Sequence, residues 1–283
     1  MQTMENEKLE KLAGQAAAGD RQALEEVVAG VQGLVFNLAL RMLGTFPDAE
    51  DAAQEILLKI VTGLPSFRGE SAFSTWVFRV AVNHLLSYRK HMFAERPLSF
   101  EFYGYDIENG RTEDIPDLTQ NVERGLLAEE LKLSCTNVML QCLDPESRCI
   151  FVLGTMFRPD SRDAGEILGM TPEAYRQRLS RVRRKVADFL SAYCGEYGGG
   201  KCRCATRVDY AIQNHRLHPA ALDFTGAEEI PPETALGFKR AMEELDDLSA
   251  QFGFLRLYES PARTKQYIRE LLDSAPLKTV RES

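Results

Sequence analysis

The sequence is short of what secreted, membrane-spanning and catalytic proteins need. No apolar stretch approaches the roughly 20 residues that cross a bilayer. Residues 1–11 alternate charge with leucine where a signal peptide would carry an apolar centre. A cytoplasmic chain without a membrane segment is expected. Six cysteines are too few and too unevenly spread for a disulfide scaffold. Cys135, Cys142 and Cys149 recur every seven residues in helix-like sequence, as buried reduced thiols do, while Cys194, Cys202 and Cys204 crowd one Gly-rich stretch. No Ser/His/Asp order, phosphate-cradling glycine loop or pair of catalytic carboxylates can be assembled, so no enzyme is expected. Asp51 and Glu55 share a helical face, but surface docking explains them without chemistry. There is no internal repeat.

An excess of positive charge is also missing. Lys and Arg number 34 against 42 Asp and Glu, a net charge of -8, which on its sum argues against a nucleic-acid binder. The distribution argues differently. Basic residues concentrate in 79–91 and 176–185, acidic ones in 48–55, 106–117 and 243–247. Such asymmetry fits a chain that touches nucleic acid with two faces and another protein with the rest. At 283 residues, 44% hydrophobic and 27% charged, the chain has room for two or three small domains.

Every strong periodic signal is helical, so the expected class is all-α. Leu24, Val27, Val28, Val31, Leu34, Val35 and Leu38 make one apolar stripe that ends before Pro47. Asp48 is placed to cap a second helix whose Ala52, Ala53, Ile56, Leu57 and Ile60 face inward. A loop over 66–71 leads to a third helix from Phe73 to about His91, with Ser71 or Ser74 as cap. Residues 95–121 lose period and turn acidic, as a linker does. Helical pattern resumes at Val122, Asp144-Pro145 restarts a helix, and a compact run follows: a short helix over 161–168, a Gly169-Met170 turn, and a helix capped by Thr171 with Pro172 next. This is a helix-turn-helix pattern.

Two constellations suit DNA. The helix after Thr171 presents Arg176, Gln177, Arg178, Arg181 and Arg184, whose forks and amide match guanine, adenine and phosphate groups in a major groove. A solvated basic face on a core helix is the alternative. The helix with Trp76, Phe78, Arg79, Asn83, His84, Tyr88, Arg89 and Lys90 interleaves rings and cations, which suits unpaired bases and their backbone. Its alternative is core packing, favoured for Phe73, Val77 and Val80 and evenly balanced for Trp76. His84 and His91 are expected on the surface or facing DNA.

The segments PDAEDAAQEILLKI and FRGESAFSTWVFRVAVNHLLSYRK closely resemble region 2 of extracytoplasmic-function (ECF) sigma factors of bacterial RNA polymerase. LDPESRCIFVLGTMF through EILGMTPEAYRQRLSRVRRKVADFL resembles their region 4. The resemblance spans residues 10–193 and implies four parts: region 2 in 1–94, an acidic linker in 95–121, region 4 in 122–193, and a Cys-containing, helical extension in 194–283. It further implies a factor that carries core polymerase, through the clamp and flap, to promoter DNA and initiates transcription there. Asp48, Glu50, Asp51, Gln54 and Glu55 would dock on the clamp of the largest subunit. Phe67, Arg68, Gly69, Glu70 and Ser71 would capture a flipped base of the minus-ten element, and Trp76, Arg79, Asn83, Arg89 and Lys90 would help melt it. Thr171, Tyr175, Arg176, Gln177, Arg178, Arg181 and Arg184 would read the minus-thirty-five element. Residues 106–117 would thread toward the RNA exit path. The sequence departs from the family pattern at 163–167, and Ala174-Tyr175 stands where Thr-Val is common, so promoter preference does not transfer.

Cys194, Cys202 and Cys204, with His215 downstream, could hold a zinc ion, although the activity requires no cofactor. A redox-responsive thiol cluster and a plain glycine hinge are the alternatives. The extension has amphipathic stretches at 233–252 and 254–272 that need a partner surface. An intramolecular contact with region 2 or region 4, restraining or tuning the factor, is expected.

Overall fold

The computed structural model describes residues 2–88, 92–95, 97–110, 115–197, 199–227 and 256–273. The architecture is all-α, and among the described residues extended pairing is limited to isolated bridges, such as that between Cys194 and Cys202.

Four helices build the first bundle: α1 (Gln2–Ala17), α2 (Arg21–Leu43), α3 (Phe46–Gly63) and α4 (Phe73–Ser87). Asp20 starts α2 by accepting the Ala23 N–H at 3.1 Å. Gly44 ends it at φ 90, where any Cβ would also stand 2.8 Å from the Phe93 ring. Two expected caps are corrected. Thr45 rather than Asp48 caps α3, which places Pro47 in the first turn, where a missing N–H costs nothing. Neither Ser71 nor Ser74 caps α4: its Phe73 N–H donates to the Glu10 carboxylate of α1 at 3.2 Å, and the helix stops at Ser87. The absence of a membrane-length apolar segment is corrected too. By length and composition α2 could cross a bilayer, but most of it is buried by the helices around it.

A short α5 (Met92–Glu95) leads to α6 (Phe100–Asn109). The stretch expected to be extended is therefore partly helical: Ser99 accepts the Phe102 N–H at 3.1 Å and starts α6. Then follow α7 (Arg124–Leu140), α8 (Pro145–Val152), a π turn (Leu153–Phe157), α9 (Ser161–Leu168) and α10 (Pro172–Tyr193). The seven-residue cysteine spacing crosses the break between α7 and α8. Cys142 and Cys149 are buried, whereas Cys135 is half-buried and faces a cavity.

One apolar core runs through both halves, joining Val35 and Ile56 of the first bundle to Phe151 and Val186 of the second. Arg148, buried on α8, ties them. Its guanidinium donates to the carbonyls of Leu140 (3.0 Å), Gln141 (3.3 Å), Leu143 (2.9 Å) and Met42, gathering carbonyls from the end of α2 and from the end of α7 and the turn after it. α4 packs on α9, and the rings of Phe78 and Phe157 meet edge-on at 5.1 Å.

The extension continues with a 3-10 turn (Cys204–Arg207), α11 (Val208–Gln213), a loop to residue 227, a strap over 256–260 and α12 (Ala262–Asp273). The amphipathic stretch at 233–252 lies outside the described residues.

Candidate functional site

On α3, Asp51 and Glu55 are exposed, while Asp48, Glu50 and Gln54 are partly covered. Asp48 accepts from the Thr45 hydroxyl at 2.6 Å. Glu50 Oε1 and Gln54 Nε2 are buried without a hydrogen-bond partner, and α12 packs against this helix. Two such atoms one turn apart leave polar capacity unused on α3, at a general cost of about 1–3 kcal/mol each.

His84 of α4 sits behind this face, buried rather than on the surface as expected. Its Nδ1 is 2.8 Å from Lys59 Nζ and its Nε2 is 3.5 Å from the Glu55 carboxylate. Burial, assisted by the Lys59 charge and opposed by Glu55, holds the imidazole below its ordinary pKa.

The 67–71 loop keeps Arg68, Gly69 and Glu70 exposed, with Ser71 half-buried and Gly69 at φ 70. Phe67 is drawn inward against Phe73 and Trp76, with ring centroids at 5.3 and 5.6 Å. Trp76 stacks on Phe73 at 5.7 Å and is 9% exposed; here it packs the core. Asn83 is exposed. Arg79 is paired across the molecule with Glu166 of α9 at 3.1 Å. Arg89 and Lys90 lie outside the described residues.

The helix-turn-helix is formed by α9 and α10. Thr171 caps α10 by accepting the Ala174 N–H at 3.2 Å. Gly169 adopts φ 65, and a Cβ on Gly165 would stand 2.6 Å from the Met170 carbonyl, so both glycines are required for the close turn. Tyr175 departs from its expected role: it is buried with Ile150 and Ala164 in the small core under the motif, and burial pushes its hydroxyl up to about 12. Arg176 donates to the Ser161 hydroxyl at 2.8 Å and to Glu173 at 3.0 Å, and Arg178 pairs with Glu146. Gln177, Arg181 and Arg184 are exposed on the outer face.

The extension is bonded to the linker and α7. Arg216 grips the Asp106 carboxylate with both forks at 2.6 and 2.8 Å, Arg207 adds 3.2 Å and the Tyr210 hydroxyl 2.7 Å. Burial pushes this carboxyl up, but the Arg216 and Tyr210 hydrogen bonds and the two arginine charges outweigh it and hold it below its ordinary range. Asp106 is thus engaged internally rather than presented toward an RNA path. Glu130, buried on α7, accepts the N–H groups of Asp223 (2.9 Å), Phe224 (3.0 Å) and Thr225 (2.7 Å). Asp209 accepts from the Leu118 N–H at 2.9 Å and from Arg124 at 2.8 Å.

The strap reaches back to α2. Tyr258, fully buried, lies among Phe46, Phe224 and the Arg41 guanidinium. Asn37 and Arg41 receive it: Asn37 bonds the Tyr258 backbone and Arg41 donates to the Arg256 carbonyl. Complete burial lowers the Arg41 pKa to about 10. Neither residue was singled out from sequence, yet a polar pair one turn apart inside an apolar stripe is a readable signal.

Cys194, Cys202 and Cys204 line one cavity together with Cys135, while His215 is exposed in the turn after α11, at φ 56. Among the described residues, no three His, Cys, Asp or Glu side chains already stand as a metal-binding group.

Comparison with known proteins places this geometry. Residues 27–91 match the Sigma-70 region 2 family. The chain is 28% identical to the ECF RNA polymerase sigma factor SigW of Bacillus subtilis over 187 residues, 64% of this chain and 96% of that protein. It is 25% identical to the RNA polymerase sigma-H factor of Pseudomonas aeruginosa over 64% of this chain and 93% of that one. It is 28% identical to the RNA polymerase sigma factor CnrH of Cupriavidus metallidurans, again over 64% and 93%. A solved structure of CnrH with the cytosolic domain of CnrY aligns at a TM-score of 0.46 and 24% identity, covering 63% of this chain and 94% of that one. About a third of the chain lies beyond what these relatives share.

Proposed function

We propose that this chain, which carries a sigma-70 region 2 domain and whose homologues are RNA polymerase sigma factors of the ECF class, directs core polymerase to promoters and initiates transcription without catalysing a reaction itself. The observation that carries the reading is one chain holding both a region 2 bundle and a helix-turn-helix whose outer face presents Gln177, Arg181 and Arg184. It acts where polymerase acts, in the cytoplasm. The exposed carboxylates of Asp51 and Glu55, with Asp48, Glu50 and Gln54, dock on the clamp. The 67–71 loop with Arg79 and Asn83 holds the minus-ten element, and α10 reads the minus-thirty-five element. Releasing Arg79 from Glu166 separates α4 from α9 and frees both DNA surfaces.

The extension restrains this activity. Supporting that part are the strap seated on α2, α12 packed on α3, and the unpaired Glu50 and Gln54 atoms, which polymerase groups would satisfy once α12 leaves.

Reconstitution with core polymerase tests both parts. Run-off transcription on genomic promoter fragments is expected to depend on the chain, and removal of residues 256–283 is expected to raise core affinity and transcript yield. Absence of core binding, together with tight binding of the isolated chain to duplex DNA, would replace this reading with a repressor or activator. Unchanged output from the truncated chain would remove the restraint.

A further inference from the structure

Residues 194–197 and 199–204 fold into a tight knuckle. Gly195 N–H donates to the Cys202 carbonyl at 2.8 Å and Cys202 N–H to the Tyr193 carbonyl at 3.1 Å, which sets Cys194 and Cys202 side by side as parallel bridge partners. Partners in such a bridge project from the same face. Arg203 between Cys202 and Cys204 is extended, at φ -121 and ψ 126, so Cys204 points the way Cys202 does and Arg203 points away. Glycine makes the closure possible: a Cβ on Gly200 would fall 2.0 Å from the Tyr193 carbonyl carbon, and one on Gly195 would fall 2.6 Å from the Gly200 carbonyl oxygen.

The fourth thiol comes from elsewhere. Cys135, on α7, lines the same cavity of about 40 Å³ as the three knuckle cysteines, and no disulfide joins any of them. The space suits an ion and is far below what an organic ligand requires. Tyr103 of α6 donates its hydroxyl to the Cys135 sulfur at 3.0 Å, an outer contact of the kind that fixes a thiolate ligand. Lys132 lines the cavity, Arg207 lies near Cys135 and Cys202, and Arg203 near Cys202.

We propose that Cys135, Cys194, Cys202 and Cys204 form a binding site for one thiophilic divalent cation of the zinc group. Four sulfurs from two separated parts of the chain line one small cavity, and four is the number of thiolates such a cation takes. Binding forms four metal–sulfur bonds and releases four thiol protons to solvent. The resulting charge of minus two faces Lys132, Arg203 and Arg207. Among the described residues no three of these thiols stand close enough to share an ion, so binding requires that they turn inward about their Cα–Cβ bonds. Cys135 takes the place that His215 holds in the sequence-based set. The bound ion would staple the root of the extension to α7, whatever the promoter activity of the chain.

The test uses the full chain purified under reducing conditions without chelator. Mass spectrometry of the metal content is expected to show about one zinc per chain, and Co2+ or Cd2+ titrated into the chelator-treated protein is expected to give a thiolate charge-transfer band saturating at about one equivalent. Cys135→Ser and Cys204→Ser lose the band, while His215→Ala and Cys149→Ser keep it. Tyr103→Phe weakens affinity by about 10–100-fold. Alkylation of the unmutated chain, with and without metal, is expected to show four protected thiols, which decides the matter should the serine variants not fold. No stoichiometric metal, no band, a resting Cys194–Cys202 disulfide, or a band kept in Cys135→Ser and lost in His215→Ala would each overturn the proposal.

Discussion

Asn37 reads both backbone groups of Tyr258: its amide nitrogen donates to the Tyr258 carbonyl at 2.9 Å, and its amide oxygen accepts the Tyr258 N–H at 2.9 Å. A side-chain amide paired with the N–H and C=O of one residue holds a chain segment as a strand is held, by its backbone. Replacing Asn37 by Ala removes both of these hydrogen bonds from a buried segment, at about 2 kcal/mol. Amide exchange over 256–260 is expected to rise about 30-fold while that of α10 stays unchanged. Equal acceleration in both segments would mean that the strap cannot leave without global unfolding.

The buried His84 makes stability depend on pH. Its folded pKa is depressed below 6.5 by burial and by Lys59, so the unfolded chain binds a proton first as pH falls. Its contribution is complete above about 6.5 and is lost as pH drops through the lower folded value. Urea unfolding between pH 7.5 and 5.5 should show stability falling toward acid, with a shallower fall in His84→Gln. An identical slope in the variant would assign the dependence to other groups.

Arg148 is expected to be the most damaging single truncation outside the apolar core. Its burial lowers its pKa to about 10, and the carbonyls it satisfies belong to both halves. Arg148→Met strands at least three buried acceptors, at about 3 kcal/mol or more. A thermal midpoint lowered by only a degree or two would show that water replaces the guanidinium.

The proposed reading of a minus-thirty-five element by α10 separates its residues. Arg181→Ala or Gln177→Ala is expected to lose about 1–3 kcal/mol for the preferred element over a mutated one. Tyr175→Phe keeps the buried ring and should leave that discrimination unchanged. Loss of discrimination in Tyr175→Phe would mean that the tyrosine leaves its core to reach DNA.

Much of this was legible in the sequence, for physical reasons. The stripe from Leu24 to Leu38, the Asp144-Pro145 and Thr171-Pro172 starts and the Gly169 stop are local signals, and each forms where its residues dictate. Legibility failed where partners are distant in the chain. The cap of α4 is Glu10, 63 residues away. Asp106 reads as part of an acidic run until Arg207 and Arg216 are folded onto it. Tyr175 lies among basic residues, and only the packing of α8 and α9 turns it inward. Cys135 belonged by period to the buried heptad cysteines, but α7 ends at Leu140, so the three share no helix face and Cys135 lines the cavity of the knuckle.

The edge-on contact of Phe78 with Phe157 bears on how tightly any partner can hold this protein. A ligand that needs α4 parted from the π turn before α9 meets a binding-competent form held to a smaller fraction of molecules by this contact. Its apparent dissociation constant is the intrinsic one divided by that fraction. Weakening the aromatic contact, as in Phe157→Leu, raises the fraction without touching a DNA or polymerase group. Apparent affinity would then improve at a remote position, a gain drawn entirely from the shifted conformational equilibrium.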